Sequence, residues 1–280
     1  MNDNYIKKSL PIIKQAIKED IGTGDITTDA IISNEKNCTA KLIAKSTGII
    51  SGLAVAQKVF ELISGKPVIW EIKFDDGMFV KPGDVIAEIK GSFQTILNGE
   101  RTALNFLQRM SGIATNTNMF VEKLKGTNTI LLDTRKTLPG FRYLDKYSVK
   151  VGGGKNHRFG LYDMVMIKEN HIRAAGSITK VVKNIKEKYG KKYKIEVETT
   201  SLKEVKETLV TNIDIIMLDN MNLKEMTDAV LLVNGKVKTE ASGNVNLETI
   251  EKIASTGVDF ISVGSITHSV KAMDISLIIN

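Results

Sequence analysis

The second half of the chain alternates between short apolar runs and helical segments. From residue 129 the apolar runs are TILLD, DMVMI, YKIEVE, DIIMLD, VKTEAS and DFISVG. Most of them are separated by segments with helical spacing of apolar residues, at Ile178–Tyr189, Leu202–Leu209, Leu223–Val233 and residues 247–254. Alternating strands and helices are typical of parallel βα units. Since a complete barrel has about eight strands, these six runs predict an incomplete, six-stranded β/α barrel.

The first part of the chain has a different pattern. Apolar residues four apart predict a helix over residues 10–19, and the runs TAKLIAK, GIISG, PVIWEIKF and DVIAEIKG predict short strands. A long helix follows over residues 93–125. Together these elements predict a smaller α+β sandwich lobe before the barrel. We expect the lobe to span residues 1–112 and the barrel domain residues 113–270, with the tail 271–280 packed back on the lobe.

The long helix carries a polar stripe besides its apolar face. Arg101, Asn105, Gln108 and Gly112 are spaced at i, i+4, i+7 and i+11, so they share one side of the helix. A solvated side usually carries Lys and Glu, whereas this one carries amides and glycine. We therefore expect it to pack against another surface, and a second subunit is one candidate.

Composition places the chain among globular proteins. Of its 280 residues, 42% are hydrophobic and 25% are charged, which argues against a disordered chain and a coiled coil. No apolar run approaches the roughly 18 residues that span a bilayer, and the N-terminal sequence lacks the apolar stretch of a secretory signal. The single cysteine, Cys38, fits a reducing compartment. We expect a cytoplasmic protein without a membrane partner.

The net charge is +7, and more than half of it lies in one stretch. Residues 133–171 contain eight Lys or Arg and four Asp or Glu, together with His157, His171 and three consecutive glycines. Proteins that bind nucleic acid usually carry their cations in a tail, a helix stripe or an aromatic-rich patch. Here the cations alternate with apolar segments, which favours the lining of an anion-binding pocket. A nucleic-acid-binding protein and a loop of solvated lysines remain as alternatives.

The residues that follow the predicted strands fall into three chemical classes, and in a β/α barrel such positions converge at one mouth. The cations Arg135, Lys136 and Lys168 come first, with the neutral Thr134 beside them. The carboxylates Glu198 and Asp219 follow, and the mostly small residues come last: Ser242, Gly243, Asn244, Val263, Gly264 and Ser265. With His157 and Arg158, the cations can neutralise carboxylates or phosphates. The carboxylates suit a divalent metal or sugar hydroxyls. The last class offers backbone N–H groups before helices, and such groups commonly bind phosphate.

Other common catalytic and nucleotide-binding motifs are incomplete or absent in the sequence. The run GGGK at residues 152–155 lacks the first glycine of a P-loop, and Asn156 replaces the required Ser or Thr. No G-x-G-x-x-G follows a predicted strand, and no serine elbow accompanies His268. Three histidines without an i, i+4 pair argue against a zinc site.

Eight segments, in order, resemble those of one enzyme family. They are EDIGTGDITT, GERTALNFLQRMSGIAT, DTRKTLPGFR, KVGGGKNHRFGLYDMVMIKENH, EVE, IIMLDNM, EASGN and GVDFISVGSITHS. Because they run nearly end to end, the chain resembles the quinolinate phosphoribosyltransferases, type II phosphoribosyltransferases of NAD biosynthesis. Leu138 and Phe141 depart from the family pattern within the third segment, and both are apolar.

The resemblance implies an activity. Members of the family transfer the phosphoribosyl group of 5-phosphoribosyl-1-pyrophosphate (PRPP) to the ring nitrogen of quinolinate and release CO₂, which gives nicotinate mononucleotide and pyrophosphate. Mg²⁺ accompanies PRPP. The alternative within the class is a phosphoribosyltransferase acting on a related monocarboxylate such as nicotinate, and the number of cations favours the dicarboxylate.

The resemblance also implies roles for individual residues. The quinolinate carboxylates are assigned to Arg135, His157, Arg158 and Lys168, and the phosphates to Lys136, Lys168, Ser242, Gly243 and Gly264. Glu198 and Asp219 are implied to bind ribose hydroxyls and Mg²⁺, and with Lys136 and Lys168 they form the implied catalytic set. Thr134, Asn244, Val263 and Ser265 complete the predicted substrate-binding set. Arg101 is implied to enter the site from a neighbouring subunit, which makes a homodimer the minimal unit.

Overall fold

The computed structural model describes residues 3–32, 36–65 and 67–279. The elements of the first part of the chain are α1 (Asp3–Ile21), α2 (Ile26–Ile31), β1 (Asn37–Ala44), β2 (Gly48–Ile49), α3 (Leu53–Ser64), β3 (Ile69–Ile72), β4 (Phe79–Val80), β5 (Val85–Ser92) and α4 (Phe93–Lys123). Those of the second part are β6 (Ile130–Leu132), α5 (Arg142–Val151), β7 (Val165–Ile167), α6 (Glu169–Ala175), α7 (Ile178–Tyr189), β8 (Ile195–Thr199), α8 (Leu202–Leu209), β9 (Ile215–Asp219), α9 (Leu223–Val233), β10 (Lys238–Ser242), α10 (Ile250–Ala254), β11 (Phe260–Ser262), α11 (Ser265–His268) and β12 (Ile275–Ile279).

The described residues form two compact units. The first unit contains the chain up to Asn118, Thr137–Gly153, and the chain from Ser265 onward. The second unit contains Met119–Lys136 and Gly154–Gly264. Helix α5 therefore belongs to the first unit, although it lies in sequence between two strands of the second. The domain boundary after residue 112 stays a prediction.

An antiparallel sheet of order β12-β1-β5-β3 forms the centre of the first unit. Strand β1 buries Ala40, Leu42 and Ala44, which alternate with less buried positions, as expected of a sheet with one side in the core. These residues join a core that includes Leu107 of α4. Strand β12 pairs with β1 and places Leu277 opposite Leu42, so the last strand of the chain extends this sheet.

The second unit is built on a parallel six-stranded sheet of order β6-β11-β10-β9-β8-β7. This sheet confirms the predicted incomplete β/α barrel, and the antiparallel sheet of the first unit confirms a separate lobe. The first unit is not the smaller of the two, because α5 and the C-terminal segment belong to it. Helices α8, α9 and α10 pack against strands of the sheet. Among the described residues β6 and β7 do not pair with each other. At the free edge of β6, Lys155 forms a single parallel bridge to Leu132.

Helices α7, α8 and α9 begin and end where the apolar spacing predicts. Their first turns are capped by side chains, since Ser177, Ser201 and Asn222 each accept a hydrogen bond from a backbone N–H three residues later. Helix α10 begins at Ile250 instead of residue 247. The reason is a turn before it, in which the Asn246 side chain accepts the backbone N–H groups of Glu248 and Thr249.

The elements of the first unit differ more from the sequence pattern. Helix α1 starts at Asp3, earlier than the predicted residue 10, and contains Pro11. The predicted strand GIISG is a strand only at Gly48–Ile49, because Gly52 adopts a φ of 108° and is the N-cap residue of α3. Among the described helices, none has the length and apolar character required to cross a membrane.

Candidate active site

Five polar side chains share one side of the parallel sheet in the second unit. Glu196 and Glu198 lie two residues apart on β8, and Glu240 and Ser242 lie two apart on β10, so each pair points to the same side of its strand. Glu198 of β8 and Glu240 of β10 are both register partners of Met217 on β9, which lies between them. Asp219 of β9 is the register partner of Ser242. The sequence therefore brings three carboxylates and a hydroxyl toward the ends predicted to bind substrate, with Glu196 deeper in the sheet.

A predicted cation and a predicted carboxylate meet at these strand ends. Lys168 follows β7 and forms an ion pair with Glu198, whose side chain is 16% exposed. On the next strand, Asn220 Nδ2 donates a hydrogen bond to Asp219 Oδ2 at 2.9 Å. Both carboxylates are thus placed at the accessible end of the sheet and already receive donors.

Two arginines of the predicted set influence each other electrostatically. Burial and the charge of Arg135 lower the pKa of the Arg158 guanidinium, while Glu196 and Asp163 oppose this effect. Arg158 Nη1 donates to the Met164 carbonyl at 3.1 Å. Two like charges held near each other favour the binding of an anion, because the anion relieves their repulsion.

The segment after β6 carries the first predicted cations. Thr134 Oγ1 accepts the Lys136 N–H at 3.1 Å, and within this turn Arg135 is half-buried and Lys136 exposed. The preceding Asp133 is fully buried and accepts the His157 N–H at 2.9 Å. This hydrogen bond connects the segment after β6 to the segment that carries His157 and its neighbour.

Side chains hold four consecutive backbone N–H groups at residues 157–160. The Asp133 carboxylate accepts the first, the His157 ring accepts the second through Nδ1, and the Asp163 carboxylate accepts the third and fourth, at 2.9, 2.7, 2.7 and 3.0 Å. The predicted site residue Arg158 is the second of these four. Its position is therefore fixed by side-chain acceptors in a loop that has no sheet or helix hydrogen bonds of its own.

A buried cluster on the polar side of the sheet was missed by the sequence prediction. His157 Nε2 lies 3.0 Å from Glu196 Oε2 and 3.5 Å from Glu240 Oε2, and the three side chains are 6%, 0% and 0% exposed. Burial raises the pKa of Glu196 to about 7. Burial and the charge of Glu196 raise the pKa of Glu240 to about 8. The signal was the alternation within each strand, which places both glutamates on the same side as Glu198 and Ser242.

The loops after β9 and β10 fit together closely at predicted phosphate-binding residues. Gly243 has a φ of 96°, and a Cβ there would lie 2.1 Å from Asn220 Oδ1, so the position requires glycine. Asn244 Nδ2 donates to the same oxygen at 3.3 Å, and the Asn220 N–H donates to the Ser242 carbonyl at 2.9 Å. Ser242 and Gly243 precede α10, as predicted, but the helix begins only at Ile250, so its first turn is seven residues after Gly243.

The residues after β11 are divided in their roles. The Val263 N–H donates to the Leu132 carbonyl at 2.9 Å, so this predicted phosphate donor is already used in sheet pairing. Gly264 is the last residue of the second unit, and Ser265 begins the four-residue helix α11 in the first unit. The remaining predicted site residues other than Arg101 all belong to the second unit.

Arg101 is an exposed residue of α4 in the first unit, and its polar stripe divides into two parts. Gln108 Nε2 donates to the Ile275 carbonyl at 2.7 Å. A Cβ at Gly112 would lie 2.2 Å from the Lys271 carbonyl oxygen. This part of the stripe therefore packs against the C-terminal segment of the same chain, and the Arg101 end is left exposed.

The carboxylates at the strand ends suit a magnesium ion. Glu198 and Asp219 offer hard oxygen donors on neighbouring strands, and both are accessible to a ligand from the strand ends. Magnesium is commonly bound through one or two carboxylates, several waters and substrate phosphates. The donor set at this end of the sheet fits that chemistry, and the adjacent Lys168 and Asn220 show that each carboxylate accepts a donor here.

Comparison with known proteins points to the same chemistry. Residues 25–111 match the family model of the quinolinate phosphoribosyl transferase N-terminal domain, and residues 113–278 match that of its C-terminal domain. The chloroplastic nicotinate-nucleotide pyrophosphorylase (carboxylating) of Arabidopsis thaliana is 46% identical over 286 residues, which cover 95% of this chain and 81% of the relative. A probable enzyme of the same name from Bacillus subtilis is 43% identical over 99% of this chain and 94% of its own.

The fold comparison agrees with the sequence comparison. The crystal structure of NadC from Streptococcus pyogenes matches with a TM-score of 0.95 at 39% identity, covering 100% of this chain and 98% of that one. The likeness therefore includes both units and is not restricted to the parallel sheet. The chain belongs to the quinolinate phosphoribosyltransferase family.

Proposed function

We propose that this enzyme transfers the phosphoribosyl group of PRPP to the ring nitrogen of quinolinate and releases CO₂, producing nicotinate mononucleotide and pyrophosphate for NAD biosynthesis. The observation that supports it best is the charge arrangement at the strand ends. There burial and the charge of Arg135 lower the pKa of the Arg158 guanidinium, and Lys168 pairs with Glu198. Arginine binds carboxylates through two parallel hydrogen bonds, so this set suits a dicarboxylate.

The reaction requires alignment and charge stabilisation, and it needs no protein nucleophile. The ring nitrogen attacks C1 of the ribose while pyrophosphate leaves. The quaternary nitrogen then accepts the electron pair of the adjacent C2 carboxylate as CO₂ departs, and a proton takes its place at C2. Arg135 and Arg158 are assigned to the carboxylates, and Lys168 is assigned to the substrate anions that replace Glu198 as its partner.

We assign Mg²⁺ and the ribose hydroxyls to Glu198 and Asp219. When bound, the ion neutralises charge on the pyrophosphate of PRPP. The support is the pair of accessible carboxylates on neighbouring strands. Gly243, whose turn is closed over Asn220, is assigned to the phosphate. The single cysteine supports a reducing, cytoplasmic setting.

The activity is tested with purified enzyme, PRPP, Mg²⁺ and quinolinate labelled in the C2 carboxylate. The expected result is equal amounts of labelled CO₂ and nicotinate mononucleotide. Lys168→Ala should lower kcat/KM by about 10²- to 10³-fold, whereas Lys183→Ala, at an exposed position of α7, should leave it unchanged. Equal or better turnover of nicotinate, without CO₂, would contradict the proposal.

A nucleic-acid-binding role is the rival from another class, because the chain is basic. Gel-shift assays with RNA and DNA over a salt series measure it, since binding to phosphate backbones falls steeply with salt. We expect weak binding that does not compete with PRPP. Tight, salt-sensitive binding together with no transferase activity would favour the rival.

We propose further that the enzyme is a homodimer in which Arg101 serves the partner's site. The support is the exposed Arg101 end of the α4 stripe and the family membership. Arg101→Ala and Lys168→Ala homodimers should both be inactive, and mixing them should restore about a quarter of the sites, because each mixed dimer has one intact site. No recovery after proven subunit exchange would contradict the shared site.

A further inference from the structure

The proposed function uses His157 and Arg158 but gives no role to the two glutamates beneath them. Glu196 and Glu240 are fully buried, and Nε2 of His157 lies 3.0 and 3.5 Å from their Oε2 atoms. Burying two carboxyl groups costs free energy unless they are compensated. A site that keeps both against one imidazole therefore calls for a functional reason.

The orientation of the His157 ring supplies that reason. Its Nδ1 accepts the backbone N–H of Arg158 at 2.7 Å, and a ring nitrogen that accepts a hydrogen bond carries no proton. The proton of the neutral ring is then on Nε2, the nitrogen that faces the two glutamates. The ring thus connects the carboxyl pair on one side to the backbone of Arg158 on the other.

We propose that Glu196 and Glu240 are positioning residues for the transferase: they fix His157 as the Nε2–H tautomer, and through it the backbone of Arg158, so that the Arg158 guanidinium meets a quinolinate carboxylate. The inference rests on the proposed function for the identity of the ligand. His157 contributes to binding through Arg158, since both of its ring nitrogens face protein groups. This is a more specific role than direct contact with the substrate.

Arg158 needs such support because its surroundings do not hold it by charge alone. Arg135 repels it, whereas Glu196 and Asp163 attract it and the Met164 carbonyl accepts a hydrogen bond from its Nη1. Without a bound anion, repulsion between like charges favours conformations in which the half-buried Arg158 guanidinium points away from Arg135. The bond from the Arg158 N–H to His157 acts on the backbone, so it positions the residue before any substrate arrives.

The charged groups around the cluster are consistent with this role. Arg158, Lys168 and Glu198 act on Glu196, and His157 acts on Glu240. Both Oε2 atoms lie within 3.5 Å of His157 Nε2, so a proton on this nitrogen has an acceptor in either glutamate.

The first test compares Glu196→Gln and Glu240→Gln, which keep the size of each side chain, with Glu251→Gln at an exposed position of α10. Each cluster variant should raise the KM for quinolinate about tenfold, leave the KM for PRPP close to the wild-type value and not lower the melting temperature. The exposed control should change neither. In a His157→Gln background, Glu240→Gln should have no further effect, because the path to Arg158 is already broken.

The second test reads the tautomer directly in the wild-type protein by ¹⁵N NMR of histidine side chains. The chain has three histidines, and His157→Gln identifies the signal of interest. We expect a protonated Nε2 and an unprotonated Nδ1 in the wild type, and exchange between tautomers in Glu240→Gln. This measurement decides the question even where a variant folds poorly.

Several results would overturn the inference. A protonated Nδ1 in the wild type is one, and an unchanged KM for quinolinate in active, folded variants is another. The ligand atoms of the three side chains lie within 4.8 Å of one another. If the wild-type enzyme holds one equivalent of tightly bound metal and both variants lose it, the cluster is a metal site and the positioning role is wrong. Absence of CO₂ release by the wild-type enzyme would instead contradict the proposed function, and calorimetry with quinolinate separates the two failures.

Discussion

The two units bury carboxyl groups in opposite ways. In the first unit Asp145 is fully buried, and Arg109 donates to its two oxygens at 3.1 and 2.9 Å. In the second unit Glu196 and Glu240 are fully buried and lie against one imidazole. An arginine fork compensates one carboxylate, whereas two carboxyl groups exceed what a single imidazole can neutralise. Burial raises the pKa of all three carboxyl groups, and it raises those of Glu196 and Glu240 to about 7 and about 8.

This difference separates interactions that stabilise the fold from groups arranged for a ligand. A paired buried charge is destabilising mainly when one partner is removed. Groups that wait for a substrate reduce the stability of the free enzyme and increase its activity. We therefore expect substitutions at Asp145 and its partner to act on stability, and substitutions at the polar strand ends to act on catalysis.

The largest effect is expected for Arg109→Ala. It should lower the free energy of unfolding by about 3–5 kcal/mol, because Asp145 stays buried without its cation. Denaturant titration measures the loss. The control is Lys123→Ala, since Lys123 and Glu251 form an exposed pair that is worth about 0–1 kcal/mol. Losses of the same small size in both variants would remove the contrast between the units.

Arg158→Ala should lower activity strongly and leave stability nearly unchanged. Its kcat/KM for quinolinate should fall by about 10²- to 10³-fold, while the free energy of unfolding changes by less than about 1 kcal/mol, because the loss of its contacts is offset by relief of repulsion from Arg135. Steady-state kinetics and denaturant titration are made on the same preparation. Arg173→Ala, at an exposed position, is the control, and a large loss of stability with little loss of activity would contradict this division.

Stability should depend on pH through Glu240. Its pKa is about 8 in the folded chain against an ordinary value of 4.5, so between these values the folded state binds more protons than the unfolded state. The free energy of unfolding should therefore fall as pH rises from 4.5 to 8, by at most about 1.4 kcal/mol per pH unit for this group. Glu240→Gln should flatten the curve in that interval, and parallel curves would contradict the assignment.

The smallest expected effect on stability concerns two glycines of the second unit, which should differ in their effect on substrate binding. Gly243 and Gly235 both have a positive φ, but only Gly243 would place a Cβ against Asn220. Each substitution by Ala should cost about 1 kcal/mol for the backbone conformation. Gly243→Ala alone should raise the KM for PRPP, because its Cβ displaces the Asn220 side chain at the proposed phosphate site. Equal kinetics in both variants would count against that site.

The sequence predicts the elements whose apolar spacing is regular and the residues that stand at strand ends. Helices α7, α8 and α9 were predicted to the residue, because amphipathic spacing and Ser or Asn caps agree there. Glu196 and Glu240 were missed, since a glutamate inside a strand is recognised as part of a site only when its long-range neighbour His157 is known. The partners of a side chain that come from distant segments are not encoded in local spacing.

Two other differences have the same origin. Val263 was predicted to offer its N–H to a phosphate, but pairing of β11 with β6 uses this donor for the Leu132 carbonyl. Helix α5 lies in the cation-rich stretch after β6 and belongs with the first unit, where Asp145 meets Arg109 of α4. Neither fact follows from a pattern within one segment, because each depends on which strand or helix lies beside it.

The ends of the six-stranded sheet have a consequence for solubility. An open parallel sheet presents unpaired backbone groups at its edge strands, which can recruit strands of other molecules and lead to aggregation. Here the edge strands β6 and β7 have three residues each, whereas β8, β9 and β10 have five. On β6 the Lys155 N–H and carbonyl already pair with Leu131 and Asp133. An incomplete barrel can therefore stay open in a crowded solution without offering long, free edges to its neighbours.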